Sequence, residues 1–334
     1  YGTCRARGLL DAVIAAAAGR PVDRIDPVLL DLLRLGAYQL LRTRVEDHAA
    51  VSTTVEQAGI EFDSARAGFV NGVLRAIARR DEGSWVAELA PPAATDPVGH
   101  LAFTHAHPRW IGQAFTDALG ARAGELEALL ASDDARPEVH LVARPGRLSA
   151  AELAEATGGT VGRYSPYAVY LGDGDPGALP AVRDGSALVQ DEGSQLIARA
   201  LTLATLDGDD TGRWLDLCAG PGGKTALLAA LGEPVGAFVD AVEPAPARAD
   251  LVQQNNPGLP VTVHRVDGRE PGLPPGYDRV LVDAPCTGLG ALRRRPEARW
   301  RRQPGDVPAL AKLQRELLAS AIRLTRPGGV VLYA

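Results

Sequence analysis

The chain has 334 residues, a net charge of −6 and three cysteines, so it is long enough for two or more domains with their own cores. It contains no run of about 18 apolar residues, no signal peptide and no cysteine framework, which excludes membrane and secreted classes and predicts a cytoplasmic protein. Because the charge is acidic overall, any surface that binds nucleic acid has to be a local patch.

Residues 1–80 are predicted to be helical throughout. Asp26 is a typical helix N-cap with Pro27 in the first turn, and a leucine-rich helix follows. Two further helices are predicted at 48–60 and 64–79, where apolar residues recur at helical spacing. A helical bundle with short loops is therefore expected over residues 1–82.

The next stretch combines a linker with a small mixed domain. Prolines and small residues around 90–98 predict a linker within 83–100. Over 101–187 we expect helices followed by strands, with a helix capped by Ser149 between the strands, which indicates a small α+β unit.

A pair of histidines, His105 and His107, lies at the start of this domain. Their spacing could suggest a metal site, but no cysteine or carboxylate follows at ligand spacing. We therefore expect a structural role for both and no bound metal.

The most informative stretch is residues 213–225, Arg-Trp-Leu-Asp-Leu-Cys-Ala-Gly-Pro-Gly-Gly-Lys-Thr. It predicts a buried strand, a glycine turn and a helix, which is the geometry of a nucleotide-type site in an open α/β sheet. A phosphate-binding P-loop would need glycine in place of Cys218, and a dinucleotide fingerprint would need it in place of Thr225. Neither pattern fits, and the P-loop NTPase remains a disfavoured alternative.

Three carboxylates end or follow the next predicted strands, which are 235–243, 261–266 and 277–282. They are Glu243, Asp267 and Asp283. One such residue is as often a helix cap or a solvated loop residue, but three at successive strand ends favour a ligand site. Glu243 also lies about 20 residues beyond the turn, where such folds bind ribose hydroxyls.

A basic segment follows the last of these carboxylates, with only Glu297 opposing its charge. A charge run is usually a solvated face. Three features favour contact with RNA phosphates instead: the segment is close in sequence to Asp283, a tryptophan lies among the arginines, and the rest of the chain is acidic. The residues predicted to bind RNA are Arg293, Arg294, Arg295, Arg299, Trp300, Arg301 and Arg302.

Three segments closely resemble motifs of the S-adenosylmethionine-dependent RNA cytosine-5 methyltransferases. They are Asp216-Leu-Cys-Ala-Gly-Pro-Gly-Gly-Lys-Thr225, Asp283-Ala-Pro-Cys-Thr-Gly-Leu-Gly290 and Arg294-Arg-Pro-Glu-Ala-Arg-Trp300. Within these methyltransferases the chain is most similar to the RsmB (Sun/Fmu) 16S ribosomal RNA family, over nearly its whole length. Phe69-Val-Asn-Gly-Val-Leu-Arg75 is typical of the NusB-like RNA-binding domain of that family.

The resemblance implies a multidomain fold of three parts. A NusB-like all-α bundle at 1–82 precedes a unit at 101–187, which contains a small α+β RNA-recognition-like subdomain. An α/β Rossmann-like methyltransferase domain at 188–334 follows, opened by Gln190-Asp-Glu-Gly-Ser-Gln195.

The resemblance also implies S-adenosyl-L-methionine as cofactor and 16S ribosomal RNA as partner, with no metal and no membrane. We expect a monomer. The residues implied in cofactor binding are Cys218, Ala219, Gly220, Pro221, Gly222, Gly223, Lys224, Glu243, Asp267 and Asp283. We expect Glu243 at the ribose and Asp267 near the adenine.

The chemistry of cytosine C5 methylation assigns roles to residues at the rim of the predicted sheet, the edge formed by the carboxyl ends of its strands. C5 becomes nucleophilic once a thiolate has added to C6, and proton donation at N3 helps that addition. The base has to leave its stack first. Asp283 is placed to hold the N3/N4 edge, and Cys286 is a thiol at the same rim. These two are the predicted catalytic residues.

The identity of the attacking cysteine depends on the family. In DNA cytosine-5 methyltransferases a cysteine after proline attacks, which would point to Cys286. In the RNA family the attacking cysteine lies in a later Thr-Cys motif, and the cysteine that matches Cys286 serves proton removal and release. We prefer for Cys218 the role of a small buried residue.

The ends of the chain suggest a fragment. There is no methionine, the chain starts at Tyr1, and the family has residues ahead of this point, so a first helix is expected to be missing. The Thr-Cys motif would follow a strand like 328–334, which places the expected nucleophile just after Ala334.

Two further alternatives remain: a non-catalytic RNA-binding module, and the same chemistry on tRNA or another RNA.

Overall fold

A computed structural model describes residues 2–334. The chain divides into two compact units, and we describe each by itself. The first comprises the residues up to 137 together with 288–304, and the second comprises 138–287 together with 305–334. Within residues 2–334 there is no helix with both the length and the apolar character that a membrane span needs.

The first unit is entirely helical, as predicted for its N-terminal part. Asp26 caps its second helix by accepting hydrogen bonds from the backbone amides of Val28 and Leu29, with Pro27 in the first turn. Leucines and valines on the inner faces of the first four helices form the core of the bundle. Numbered along the chain, the helices of this unit are α1 Gly2–Ala18, α2 Pro27–Arg42, α3 Asp47–Glu61, α4 Ser64–Ile77, α5 Glu82–Leu89, α6 Pro97–Thr104, α7 Arg109–Leu119, α8 Leu126–Asp134 and α14 Ala298–Arg301.

The predicted linker at 83–100 differs from the structure at both ends. Helix α5 occupies its first part and α6 its last, so only 90–96 lacks helical structure. Each helix begins at an aspartate whose side chain accepts a backbone hydrogen bond, Asp81 from Ser84 and Asp96 from Gly99. The prolines of the segment lie between the two helices or at a helix N-terminus, where they are tolerated.

The second unit contains a small antiparallel sheet with strand order β2-β3-β1-β4. Its elements are β1 Val139–Ala143, α9 Ala150–Thr157, β2 Thr160–Val161, β3 Ala168–Leu171, α10 Pro180–Arg183 and β4 Ala187–Val189. Ser149 caps α9 in a capping box with Glu152, which confirms the predicted cap. Alternate residues such as Leu141 and Val169 face α9 and form one core with it.

The rest of the second unit is a parallel five-stranded sheet with strand order β7-β6-β5-β8-β9. Its elements are α11 Glu192–Leu203, β5 Arg213–Asp216, α12 Gly223–Gly232, β6 Phe238–Val242, α13 Pro246–Asn255, β7 Val261–His264, β8 Tyr277–Val282, α15 Asp306–Leu324 and β9 Thr325–Tyr333. All six residues of β8 are buried, as expected of a central parallel strand. The strand order reverses at β5, where open α/β sheets bind ligands beyond the carboxyl ends of the strands.

Candidate active site

The turn between β5 and α12 is fixed by a buried carboxylate at the end of β5. Asp216 is 1% exposed, and its carboxylate accepts hydrogen bonds from the Thr225 hydroxyl at 2.7 Å and from the Cys218 amide at 3.4 Å. These two bonds join both ends of the turn. Burial raises the pKa of Asp216 to about 6, against the opposing effect of the Thr225 hydrogen bond.

Two glycines of the turn are required by close approach. A side chain at Gly220 would overlap the Glu243 carboxylate. A Cβ at Gly222, which has φ of +104°, would lie 2.8 Å from the Val252 backbone. The backbone of α13 and the side chain that follows β6 therefore pack directly against the turn.

Glu243 lies directly after β6 and is 5% exposed. Its Oε1 accepts a hydrogen bond from the Ala245 amide at 2.9 Å, and its Oε2 is 3.3 Å from the Arg248 Nε. Arg248 in turn donates to the Gly220 carbonyl at 2.5 Å. The carboxylate is thus fixed beside the turn, at the strand end where the sequence predicted it.

Asp283 follows β8 and forms an ion pair with Lys224 of the turn, with 2.6 Å between Nζ and Oδ2. The pair joins the end of β8 to the start of α12. Cys286 is exposed three residues later, in a loop that α15 holds through a hydrogen bond from the Gln314 side-chain Nε2 to the Pro285 carbonyl. The structure therefore brings together the turn, Glu243 and Asp283, with Cys286 on the loop that leaves β8.

The Cys218 thiol is partly buried and packs against the core beneath β5 and β8. Burial, together with the charges of Asp216, Asp283 and Glu243, raises its pKa to about 12. The raised pKa favours the protonated thiol and disfavours Cys218 as a nucleophile near neutral pH. This agrees with the packing role that we predicted for its side chain.

Asp267 lies at the same edge, but its carboxylate is engaged by a neighbour. It accepts hydrogen bonds from the Arg269 guanidinium at 2.6 Å and from the Arg269 amide at 2.9 Å. Arg269 also reaches Glu316 at 3.3 Å. The side chain of Asp267 is about half exposed, so it remains accessible at the rim.

The small sheet is joined to the part of the second unit with the parallel sheet by a buried carboxylate. Glu192 at the start of α11 accepts hydrogen bonds from the amides of Tyr164 and Ser165 and from the Tyr170 hydroxyl. The sheet face that carries His140 and Tyr170 thus packs towards α11.

The predicted RNA-binding segment lies in the first unit, and the structure corrects part of that prediction. Arg299 is fully buried, and its Nη1 lies 2.9 Å from Asp134. Trp300 is half-buried and donates to the Cys4 carbonyl at 2.8 Å. Both side chains are occupied within the unit, so Arg299 cannot contact a phosphate. The exposed arginines of the segment are Arg293, Arg295 and Arg301.

The two histidines also lie in the first unit. The ring of His107 hydrogen-bonds to the His105 carbonyl at 2.7 Å, and its Nε2 is 3.4 Å from Asp133. Burial lowers the pKa of His105. Within residues 2–334, no group of three or more histidine, cysteine or carboxylate side chains is arranged to hold a metal ion.

Three groups at the turn were not singled out from the sequence. Asp216 ends the buried strand β5, and an acidic residue at such a position is itself a signal that could have identified it. Arg248 had no sequence signal, because its contact with the turn depends on how α13 packs. Asn255 likewise donates to the Pro221 carbonyl at 2.8 Å from the end of α13.

Comparison with known proteins gives family and fold. The profile of the family "16S rRNA methyltransferase RsmB/F" matches residues 202–334, and that of the "NusB family" matches residues 1–79. The solved structure of PH0851 superposes with a TM-score of 0.82 over 99% of this chain and 74% of that chain, at 24% identity. The structure of NSun6 from Pyrococcus horikoshii with SFG superposes with a TM-score of 0.56 over 66% of this chain and 81% of that chain, at 19% identity.

Relatives in sequence include Putative methyltransferase Rv1407 of Mycobacterium tuberculosis, which is 79% identical over all of this chain and 73% of its own length. Probable ribosomal RNA small subunit methyltransferase B of Bacillus subtilis is 32% identical over all of this chain and 74% of its own length. Ribosomal RNA small subunit methyltransferase B of Pseudomonas putida is 34% identical, over 75% of its length. The chain therefore belongs to the RsmB/F family of 16S rRNA methyltransferases and carries a NusB-family domain at its N-terminus.

Proposed function

We propose that this protein transfers a methyl group from S-adenosyl-L-methionine to C5 of a cytosine in 16S ribosomal RNA, through a covalent cysteine–C6 adduct. The observation that supports this most directly is the ion pair between Lys224 and Asp283 beside the glycine turn. In this proposal an extruded base and the cofactor meet beside this ion-paired carboxylate, at the carboxyl ends of the strands.

The residues of the rim fit the cofactor. The glycines of the turn allow close approach to its backbone, and the Glu243 carboxylate is fixed against it. In our proposal residues 218–224 bind the cofactor through their backbone and Lys224, Glu243 accepts hydrogen bonds from the ribose hydroxyls, and Asp267 lies near the adenine. Asp283 contributes to the same pocket. The cofactor supplies an electrophilic methyl group when bound.

The protein side of the reaction then runs in four steps. A cysteine thiolate adds to C6 as N3 takes up a proton, with Asp283 holding the N3/N4 edge. C5 of the resulting enamine takes the methyl group. A base removes the C5 proton, and the thiol is eliminated as the C5–C6 double bond re-forms. By the family resemblance Cys286 serves the removal and release steps, and a different cysteine, in a Thr-Cys motif, provides the attacking thiolate.

The exposed arginines of 288–304 provide the RNA contact in this proposal. Arg293, Arg295 and Arg301 are exposed, whereas the buried Arg299 is excluded from this role. Their charge lies on a chain that is acidic overall, so they form a local basic patch.

One assay tests the position of methylation. The intact protein is incubated with cofactor and unmodified 16S RNA carrying tritium at C5 of cytosine, because methylation there releases the tritium into water. We expect tritium release to equal methyl incorporation, and we expect none with tRNA as substrate. Methyl incorporation without tritium release would place the methyl elsewhere, and tritium release from tRNA would shift the substrate class.

A second measurement tests the adduct. In 16S RNA that contains 5-fluorocytidine, fluorine replaces the C5 proton and cannot leave, so the last steps stop. We expect a protein–RNA adduct that survives denaturing electrophoresis and needs the cofactor. Absence of an adduct, with turnover intact on normal RNA, would contradict covalent addition.

The cofactor assignment is tested by calorimetry with S-adenosylhomocysteine. Replacing Glu243 by alanine should weaken binding by about 1–3 kcal/mol, the usual loss for a hydrogen bond to a charged group. Glu233→Ala, an exposed acid of the same unit, is the matched control and should bind as the wild type does. Equal losses in both variants would remove Glu243 from the site.

A further inference from the structure

The side chain of Gln190 lies over the glycine turn, at the point where β4 leads into α11. Gln190 is 7% exposed, and its Oε1 has no hydrogen-bond partner. A Cβ built on Gly223 would lie 3.5 Å from the Gln190 Nε2 and 3.6 Å from its Cδ. The carboxamide therefore rests against the first residue of α12.

The main chain of Gln190 is fixed on both sides. Its amide donates to the His140 carbonyl at 3.0 Å, and its carbonyl accepts from the Gln195 Nε2 at 3.0 Å. Gln195 is itself held by Leu141 and Ser165. Gln195 thus has a complete structural role, whereas the carboxamide of Gln190 is a buried polar group with an unused acceptor.

Buried polar side-chain atoms in folded proteins nearly always have a partner, so an unused one beside a helix N-terminus points to a ligand. Helix α12 has ten residues, and no side chain caps its first turn. Its free amides and positive end favour a carboxylate. A carboxamide next to them adds one donor and one acceptor, which match the carboxylate and the ammonium group of an amino acid.

We propose that Gln190 binds the amino-acid end of S-adenosylmethionine at the N-terminus of α12. The inference rests on the proposed function, because it assumes that this cofactor occupies the turn. It adds a residue from outside the glycine turn and the strand ends, contributed by the segment that links the small sheet to α11. The small sheet thereby sets the position of a cofactor-binding group.

The test compares two ligands that differ only at this end. S-adenosylhomocysteine carries the amino-acid group, and 5′-deoxy-5′-methylthioadenosine has the same adenosine and thioether without it. We expect Gln190→Ala to weaken S-adenosylhomocysteine binding by about tenfold or more in calorimetry, as for a lost hydrogen bond to a charged group. Binding of methylthioadenosine should stay within about twofold of the wild type.

Two further variants separate binding from folding. Gln190→Glu keeps the shape of the side chain but puts a negative charge next to the ligand carboxylate, so it should lose S-adenosylhomocysteine selectively as well. Gln195→Ala is the matched control, because it removes the structural hydrogen bonds of the Gln195 side chain. It should lower the melting temperature and weaken the binding of both ligands to the same extent.

The outcomes distinguish this inference from the proposed function. If the wild type binds both ligands and the Gln190 variants lose both equally or neither, the inference is wrong and the cofactor assignment stands. If the wild type binds neither ligand, the cofactor assignment fails and this inference fails with it. Selective loss of S-adenosylhomocysteine in both Gln190 variants supports it.

Discussion

Replacing Arg299 by alanine should destabilise the first unit strongly, although the residue belongs to a segment whose sequence predicts a basic surface patch. Its guanidinium is fully buried and pairs with Asp134 at 2.9 Å between Nη1 and Oδ1. The same nitrogen lies 3.4 Å from the carbonyls of Arg5, His105 and Ala106. One side chain thus joins α14 to the start of α1, the end of α6 and the end of α8.

The expected loss follows from what the substitution leaves behind. Removing one partner of a buried ion pair typically costs about 3–5 kcal/mol. Two features reduce it here: Asp134 is 24% exposed and can regain water, and the Nε and Nη2 of Arg299 are themselves buried without partners. Burial accordingly lowers the pKa of Arg299. We expect a loss of about 2–4 kcal/mol in the free energy of unfolding.

The assay is urea denaturation of the full chain, followed by tryptophan fluorescence. With a urea dependence of about 2 kcal/mol per M, the midpoint for the first unit should fall by about 1–2 M. Arg295→Ala, an exposed arginine of the same segment, is the control and should change stability by no more than about 0.5 kcal/mol. Equal midpoints for the two variants would show that burial of Arg299 does not stabilise the fold.

Three other outcomes follow from the same structure. Because burial raises the pKa of Asp216 to about 6, the folded state holds a proton that the unfolded state releases, so stability should fall as pH rises from about 4 to about 6; melting curves of Asp216→Asn should lack this fall. Iodoacetamide at pH 8, followed by mass spectrometry, should modify Cys286 and leave Cys218 intact, and modification of both would contradict the raised Cys218 pKa. Neutralising the exposed Arg293, Arg295 and Arg301 should lower the magnitude of the slope of log K for RNA binding against log salt concentration by about 2. An unchanged slope would show that these three arginines do not contact RNA phosphates.

Features set by local sequence could be predicted, because the causes lie within a few residues. The strand, glycine turn and helix around 213–225 follow from apolar residues, glycines and helix formers in that order. The carboxylates after β6 and β8 could be placed at one rim because parallel strands bring their carboxyl ends together. The caps at Asp26 and Ser149 were predicted for the same local reason.

Features set by distant partners could not be predicted. Arg299 is buried because Asp134, far away in sequence, approaches it in the folded unit. Its neighbours Arg295 and Arg301 are exposed, and nothing in the residue pattern distinguishes the three. The same holds for Gln190, whose position over Gly223 depends on how β4 and α11 pack against α12. Long-range packing decides which member of a repeated residue type is structural.

The two cysteines of the second unit, Cys218 and Cys286, differ in exposure because of this long-range packing. Cys218 lies inside the most recognisable motif of the chain, yet burial and three nearby carboxylates stabilise its protonated form. The fold thereby disfavours the thiolate form of Cys218. Cys286 lies on an exposed loop after β8, behind Asp283. Of the two, Cys286 is therefore the accessible thiol, and Cys218 belongs to the packing of the turn.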